Sequence, residues 1–284
     1  MNSSIKLQRP LIVGILNATP DSFSDGGNAS SAGDVCRIAD KLISAGCDIL
    51  EIGGESTRPG SKYVSEQEER ERVLRTLDVV QSRFPQQPIG IDTRREELMI
   101  ETLGRGAIWF NNVAGLCSDT TLKSLADRGS YYAAMHMHKI PENMQTAPLG
   151  VALALSQVSS FFSDAQSRLL SSGFTDDKIF LDPGIGFGKS DAANFALMSH
   201  VGEWSKSYNI LMGISRKSFI GRMSGIDVPK DRDTISKAFE VSLIAQGSRA
   251  IRTHDVKLLV SWASKVWDWN DERRIATNFR MGDS

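Results

Sequence analysis

Short apolar runs rich in β-branched residues alternate along this chain with longer segments whose apolar residues have helical spacing. The runs predict eight strands, at Leu11–Leu16, Ile49–Ile52, Ile89–Ile91, Ile108–Phe110, Tyr132–Met135, Ile179–Leu181, Leu211–Gly213 and Ala250–Ile251. The longer segments predict helices between them, including Val35–Ala45, Gln67–Phe84, Leu98–Arg105, Ala152–Ser172 and Ile235–Gln246. Because strands that alternate with helices form parallel sheets with right-handed crossovers, the pattern indicates an α/β fold.

Eight strand–helix units predict a (β/α)8 TIM barrel, which needs about 250 residues. An open, doubly wound parallel sheet is the alternative. No linker or low-complexity segment interrupts the pattern, so we predict a single domain over residues 1–284, with a short polar N-terminal extension (1–9) and a C-terminal tail (273–284).

Residues at the predicted helix ends support these assignments. Ser65 followed by Glu68 resembles a capping box at the start of a helix. Glycine, which often ends a helix, stands before the next strand at Gly46, Gly106, Gly129, Gly173 and Gly247.

Composition excludes several classes of function. The hydrophobic fraction is 40%, the charged fraction is 24% and the formal net charge is −1, which argues against general affinity for nucleic acid or anionic membranes. No segment is long and apolar enough to be a signal sequence or a membrane span, so we expect a cytoplasmic protein. The three cysteines lack CxxC spacing and are expected to be reduced.

Polar residues follow directly after nearly every predicted strand. In a barrel, the carboxyl ends of all the strands lie on one face, so these residues are expected to converge on one mouth. After Leu181 the chain reads DPGIGFGK, where proline and glycines end the strand beside the carboxylate of Asp182. From this stretch alone, Asp182 could equally cap a turn.

Three clusters of candidate residues can be assigned to this mouth. Asp92, Asn111, Asp182 and Lys217 combine acceptors and donors that would suit a flat heterocycle with an amidine-like edge and a ring carbonyl. Arg252 and His254 would suit a phosphate, and the Asn17 carboxamide could hold Mg²⁺. Loop residues that could hold a planar aromatic acid are Thr19, Pro20, Ser22, Phe23, Thr57, Arg58, Pro59 and Ser218.

Simpler readings remain open for several of these residues. Asp92 could be a helix cap, Asn111 a turn residue and Lys217 a solvated surface charge. No Ser–His–Asp triad or Walker A loop is evident. His136 and His138 are two positions apart, which is poor spacing for a zinc pair on a helix.

The chain resembles the dihydropteroate synthase family over nearly its whole length. The motifs that carry the resemblance are GILNATPDSFSDGG (14–27), GGESTRPG, IDT, HMHKIPENMQ, DPGIGFGK, GISRKSFIG and RTHDV. The resemblance implies a (β/α)8 barrel, usually a homodimer. It also implies that the protein joins 4-aminobenzoate to 6-hydroxymethyl-7,8-dihydropterin diphosphate and releases diphosphate in the presence of Mg²⁺.

The resemblance also implies roles for individual residues. Pterin-binding positions match Asp92, Asn111, Asp182 and Lys217, with Met137, Gly186 and Phe187 beside the ring. Asn17, Arg252 and His254 match the diphosphate and Mg²⁺ positions. The 4-aminobenzoate region matches Thr57, Arg58, Ser218 and the first two loops, which include Phe23 and Pro59. The implied chemistry is dissociative, because diphosphate leaves before the arylamine attacks.

The chain departs from the family pattern at three places. Glu51 and Asn112 each replace an aspartate, and His138-Lys139-Ile140 stands where a glutamine and a glycine are common. Because they remove one carboxylate and lengthen another acidic side chain, pterin affinity or geometry could differ. Glu51 and Asn112 leave open a paralogue that binds pterin without catalysis. A second alternative, from the same fold, is a pterin-binding methyltransferase domain, against which the SRKSFIG and RTHDV segments argue.

Overall fold

The computed structural model describes residues 9–18, 31–55, 64–138 and 147–264. Its strands are β1 Leu11–Asn17, β2 Ile49–Gly53, β3 Ile89–Asp92, β4 Trp109–Asn112, β5 Tyr131–Met135, β6 Ile179–Asp182, β7 Leu211–Met212 and β8 Ala250–Thr253. Its helices are α1 Ala32–Ser44, α2 Glu66–Arg83, α3 Glu96–Gly104, α4 Asp119–Asp127, α5 Val151–Ser171, α6 Asp191–Ser199, α7 Val201–Trp204, α8 Ser218–Ser224, α9 Asp233–Ala245 and α10 Val256–Ala263.

The eight strands are parallel and form a nearly closed barrel. Their order is β6-β5-β4-β3-β2-β1-β8-β7. The remaining edge is joined by a parallel bridge between Leu181 and Ile210, and the Leu181 amide donates to the Asn209 carbonyl at 2.9 Å. The predicted TIM barrel is therefore confirmed, and an open doubly wound sheet is excluded.

Most strands extend beyond their predicted C-terminal ends. The apolar runs stop at Leu16, Ile91 and Leu181, but the ladder continues through the next residue in β1, β3 and β6. Several polar candidates therefore lie in strands, where the backbone fixes their direction.

The predicted helix ends are confirmed. The Ser65 hydroxyl accepts a hydrogen bond from the Glu68 amide at 3.2 Å and so caps α2. The five glycines near helix ends all have positive φ, from +67° to +103°. They terminate their helices in the conformation that residues with a Cβ rarely adopt.

An apolar layer closes the barrel interior beneath the mouth. It consists of Val13, Ile49, Trp109, Ala133, Phe180, Leu211 and Ala250. The ring centroids of Trp109 and Phe180 are 4.8 Å apart. Gly90 makes room for the indole, because a Cβ at this position would lie 2.8 Å from Trp109 Cδ1. The larger apolar core lies between the outer faces of the strands and the helices.

The sequence predicts reduced cysteines and no membrane-spanning segment. All three cysteines are free thiols, and Cys47 and Cys117 are buried. In the part of the chain that the structure describes, no helix has both the length and the apolar character needed to span a membrane.

A buried ion pair lies behind β8, on the face away from the barrel interior. Lys237 Nζ donates to Glu240 Oε2 at 2.7 Å and also contacts the Thr253 hydroxyl, which lies 3.1 Å from Glu240 Oε1. Both charged side chains are fully buried. Burial raises the pKa of Glu240 to about 7, while Lys237 opposes the shift.

We predict that Lys237→Met destabilises the protein by about 3–5 kcal/mol, because it leaves the Glu240 carboxylate buried without its cation. The double variant Lys237→Met/Glu240→Leu should recover most of this loss. Urea unfolding of the two variants and the wild type measures both effects. A single variant within about 1 kcal/mol of the wild type would contradict the assignment of the pair as a structural constraint.

Candidate active site

Polar side chains form a layer directly above the apolar floor of the barrel, at the carboxyl ends of the strands. They are contributed by strands that are far apart in sequence: Asn17, Glu51, Asp92, Asn111, Asp182 and Arg252. Pairing aligns Asn17 with Gly53 and Gly53 with Asp92, so β1, β2 and β3 end at the same level. The predicted convergence on one mouth is confirmed for these residues.

Arg252 connects opposite parts of this layer. Its Nη2 donates to Asp92 Oδ2 at 2.6 Å, and its Nε donates to Glu51 Oε1. Because β1 and β2 separate β8 from β3, the contact with Asp92 must cross the barrel interior. The second oxygen of Glu51 accepts a hydrogen bond from Trp109 Nε1 at 3.3 Å, which ties the charged layer to the apolar floor.

Burial disfavours ionisation of the three carboxyl groups in the layer. It raises the pKa of Glu51 to about 7, although Arg252 opposes the shift. Burial also raises the pKa of Asp92 and Asp182, and the main opposing cations are Arg252 for Asp92 and Lys217 for Asp182. A ligand edge that donates N–H bonds would therefore stabilise the charged carboxylates.

Asn111 presents an unsatisfied acceptor in the same layer. Its Nδ2 donates to Asp92 Oδ1 at 3.3 Å, whereas its buried Oδ1 has no hydrogen-bond partner among the described residues. Buried amide oxygens are nearly always paired in folded proteins. This oxygen is therefore a further position where a bound N–H group would be satisfied.

The loop after β6 places Lys217 beside Asp182. The Gly184 amide donates to Asp182 Oδ1 at 2.6 Å. Lys217 Nζ donates to the Ile185 carbonyl at 2.9 Å and lies 4.0 Å from the centroid of the Phe187 ring. The loop after β6 and the turn after β7 thus bring a carboxylate, an aromatic face and an ammonium group together.

Lys189 fixes the conformation of this loop, and the sequence analysis did not single it out. Its ammonium donates to the carbonyl oxygens of His136 (3.1 Å), Gly184 (2.9 Å) and Phe187 (3.0 Å), and the residue is 2% exposed. Burial lowers the pKa of Lys189 to about 7. A Cβ at Gly184 would lie 2.0 Å from the His136 carbonyl oxygen, so glycine is required there.

His254 and Asn17 lie at the mouth. The ring of His254 suits an anion, and the carboxamide oxygen of Asn17 suits a cation. His254 Nδ1 is 3.0 Å from the Ser215 hydroxyl, which also accepts from the His254 amide at 3.2 Å. Asn17 carries a carboxamide oxygen, a ligand type that Mg²⁺ accepts. Among the described residues, no group of His, Cys, Asp or Glu side chains is arranged to hold a metal ion, so substrate oxygens and water would have to complete the shell of an ion at Asn17.

Met137 and Phe187 form an apolar wall of the mouth with Val113 and Met135. The neighbouring His136 is buried, and burial lowers its pKa to about 3, so its ring is neutral. In the part of the chain that the structure describes, neither histidine belongs to a group of His, Cys, Asp or Glu side chains that could hold a metal ion.

The candidate residues of the third cluster fall largely outside the described part of the chain. Those outside it are Thr19, Pro20, Ser22, Phe23, Thr57, Arg58 and Pro59. Ser218 is described, and it is the exposed first residue of α8, directly after Lys217.

The side chain of Asn112, one of the departures from the family pattern, does not belong to the polar layer. Asn112 points away from the barrel interior, because successive residues of a strand face opposite sides. Its Nδ2 donates to the Tyr132 hydroxyl at 2.9 Å, and its Oδ1 accepts from the Ala114 amide at 2.9 Å. Glu51, in contrast, faces the interior and contacts Arg252 directly.

Comparison with known proteins gives a consistent picture. A family model described as "Pterin binding enzyme" matches residues 13–254. The dihydropteroate synthase of Escherichia coli strain K12 is 38% identical over 256 residues, which cover 90% of this chain and 90% of that protein. The dihydropteroate synthase of Neisseria meningitidis serogroup C is 38% identical over 269 residues, or 93% and 94% of the two chains.

Solved structures agree with these sequence relatives. The Yersinia pestis dihydropteroate synthase in complex with a sulfonamide drug superposes with a TM-score of 0.82 at 37% identity, covering 92% of this chain and 94% of that one. The Xanthomonas albilineans dihydropteroate synthase with 4-aminobenzoic acid gives a TM-score of 0.82 at 32% identity, covering 91% and 92%.

We predict that Glu51→Gln weakens the pH dependence of stability between about pH 4.5 and 8. A carboxyl group whose pKa is raised to about 7 in the folded protein contributes stability that is complete below its unfolded pKa and is lost as the pH rises through 7. Glutamine cannot titrate, so the variant lacks this loss. Chemical unfolding at pH 5 and pH 8 measures the difference between the two proteins, and identical pH slopes would contradict it.

Proposed function

The chain belongs to the dihydropteroate synthase family, transferases of folate biosynthesis, and we propose that the mouth of its barrel binds the pterin, the diphosphate and the aromatic acid in three adjoining regions. The reaction joins 6-hydroxymethyl-7,8-dihydropterin diphosphate to 4-aminobenzoate and releases diphosphate. The observation that carries the proposal is the ion pair of Asp92 and Arg252 across the barrel, beside the contact of Lys217 with the loop that follows Asp182.

The pterin occupies the polar layer. Asp92, Asp182 and the unpaired Asn111 oxygen accept from its N–H groups, and the Lys217 ammonium donates to its ring carbonyl or a ring nitrogen. The wall formed by Met137 and Phe187 flanks the ring. Charge-assisted contacts of this kind contribute roughly 1.5–3 kcal/mol each.

Carbon–oxygen cleavage precedes carbon–nitrogen bond formation. The electron pair of the cleaved bond leaves with diphosphate, and the pterin methylene becomes a cation conjugated with the ring. Asp92 and Asp182 stabilise this charge, because fixed charges act most strongly where new charge develops in a dry site. The nitrogen lone pair of neutral 4-aminobenzoate then forms the bond to the methylene. The resulting anilinium ion is acidic enough to give its proton to water, so no strong base is required.

The leaving diphosphate takes a position at Arg252 and His254. A diphosphate oxygen replaces the Asp92 carboxylate at Arg252 Nη2, while the deeper Glu51 keeps its contact with Arg252 Nε. Asp92 is thereby released to accept from the pterin. Asn17 would provide one oxygen ligand to Mg²⁺, and the bound ion would supply charge neutralisation to diphosphate.

The aromatic acid lies next to Ser218, at the start of α8. Its binding in the relative from Xanthomonas albilineans supports this substrate for the present chain. The remaining residues of this region are taken from the family resemblance: Phe23, Thr57, Arg58 and Pro59. The same resemblance predicts a homodimer, with twice the 31.1 kDa mass of the chain.

Two alternatives are distinguishable from an active synthase. A pterin-binding methyltransferase domain is disfavoured by relatives that are synthases over about nine-tenths of the chain. A paralogue that binds pterin without catalysis is motivated only by Glu51, since Asn112 lies outside the site.

We predict that the purified protein releases diphosphate from the pterin substrate when Mg²⁺ and 4-aminobenzoate are both present. Without 4-aminobenzoate, release should be slow but measurable, because diphosphate leaves before the amine attacks. A time course of diphosphate release under both conditions tests this. Pterin binding without any diphosphate release would instead identify a non-catalytic paralogue.

We also predict that Arg252→Lys raises the KM for the pterin diphosphate by about tenfold or more, because lysine keeps a cation between the two carboxylates but cannot fork phosphate oxygens. The KM for 4-aminobenzoate should change by less than about threefold. Arg222→Lys, in an exposed pair with Asp191, serves as the matched control. A larger effect on 4-aminobenzoate than on the pterin substrate would reject the anion assignment.

A further inference from the structure

Helix α9 buries polar side chains where an apolar stripe is usual. Its first two turns bury Ser236, Lys237 and Glu240, and buried apolar residues appear only at Leu243 and Ile244. A helix that packs on a barrel normally presents a hydrophobic face. The buried polar side chains of α9 must therefore form hydrogen bonds or ion pairs with polar groups of the barrel.

One of these partners is the turn between β7 and α8. The Lys217 amide donates to the Ile214 carbonyl at 3.2 Å and closes a turn in which Arg216 occupies the third position. Arg216 has φ +61°, and it is the one residue other than glycine with positive φ among the described residues. This position of a turn is ordinarily glycine or asparagine, because a Cβ disfavours the left-handed conformation.

The start of α9 holds Arg216 in this conformation through its backbone and its side chain. The Arg216 amide donates to the Ser236 hydroxyl at 3.2 Å. The guanidinium donates to both oxygens of Asp233, at 2.8 and 2.7 Å. The Arg216 carbonyl accepts from Arg232 Nη1 at 3.1 Å. Such over-determined strain is characteristic of functional sites.

The turn carries two groups of the proposed site. Lys217, directly after Arg216, donates from Nζ to the Ile185 carbonyl in the loop of Asp182. Ser215, directly before it, bonds both the amide and Nδ1 of His254. A rotation of the backbone at Arg216 would therefore displace both the pterin-side lysine and the support of the diphosphate-side histidine.

We propose that Arg216, Asp233 and Ser236 form a positioning device that holds the β7–α8 turn in a left-handed conformation and so aims Lys217 at the pterin. This inference rests on the proposed function, because it takes Lys217 to be a pterin ligand. The three residues act through the turn and not through contact with substrate. An arginine at a glycine position is thus explained by the ion pair that its side chain makes.

The test uses glycine as a rescue residue, because glycine adopts positive φ without a penalty. Asp233→Asn and Arg216→Ala should each weaken pterin diphosphate binding roughly tenfold, since the turn relaxes without the ion pair. Arg216→Gly should stay within about threefold of the wild type. Adding Asp233→Asn to Arg216→Gly should cause no further loss. Isothermal calorimetry gives the affinities, and steady-state kinetics gives kcat and KM separately.

Asp191→Asn is the matched control. Arg222 on α8 donates from Nε and Nη2 to the two oxygens of Asp191, as Arg216 does to Asp233, but this pair is exposed. Its affinity for pterin diphosphate should equal that of the wild type. If the Arg216–Asp233 pair were purely structural, its loss would lower the melting temperature of the variants. Arg216→Gly would then bind pterin diphosphate no more tightly than Arg216→Ala.

Three results would overturn the proposal. Arg216→Gly could weaken binding as much as Arg216→Ala, or Asp233→Asn could match the Asp191→Asn control; in either case the wild type binds pterin diphosphate and only the positioning role fails. If the wild type itself does not bind pterin diphosphate, the proposed function fails and the positioning role fails with it. Should Arg216→Ala not fold, Asp233→Asn in the wild-type and Arg216→Gly backgrounds still decides the question.

Discussion

Across the barrel interior, the guanidinium of Arg252 pairs with the carboxylates of Glu51 and Asp92. Both carboxyl groups are buried and would favour the neutral form without a cation, because burial raises their pKa. The pairing joins β8 to β2 and β3 and links the polar layer, through Trp109, to the apolar floor. The ionisation of Glu51 and Asp92 therefore depends mainly on one side chain.

In the proposed function, the substrate binds by replacing the contact between Arg252 and Asp92. A buried charge that loses its partner is costly, so neither Asp92 nor Arg252 can separate until a ligand replaces the contact. A substrate that carries N–H donors at one end and diphosphate at the other replaces both contacts at once. In the proposed function, Glu51 remains paired below, so Arg252 contacts the anion while the charge of Glu51 stays neutralised.

The alternation of apolar strands with helical segments was sufficient to predict the barrel, because eight strand–helix units of this length close into one parallel sheet. Strand alternation alone could have placed Asn112 outside the site, since Asn111 faces inward. Other features depend on tertiary contacts that no local pattern encodes. Lys189 is bonded to carbonyls of two separate loops, and Arg216 holds a glycine-like turn through a helix that follows it in sequence. A charged residue within the apolar run of β2 was the available signal for Glu51.

A crystal structure of the chain with the pterin ring and diphosphate bound together tests the central claim most directly. The account predicts that the ring's N–H groups contact Asp92, Asp182 and the Asn111 oxygen, that diphosphate takes the place of Asp92 on Arg252, and that the Arg252–Glu51 pair persists. A ligand bound away from these residues, or an Arg252–Asp92 pair that remains intact beneath bound diphosphate, would contradict it.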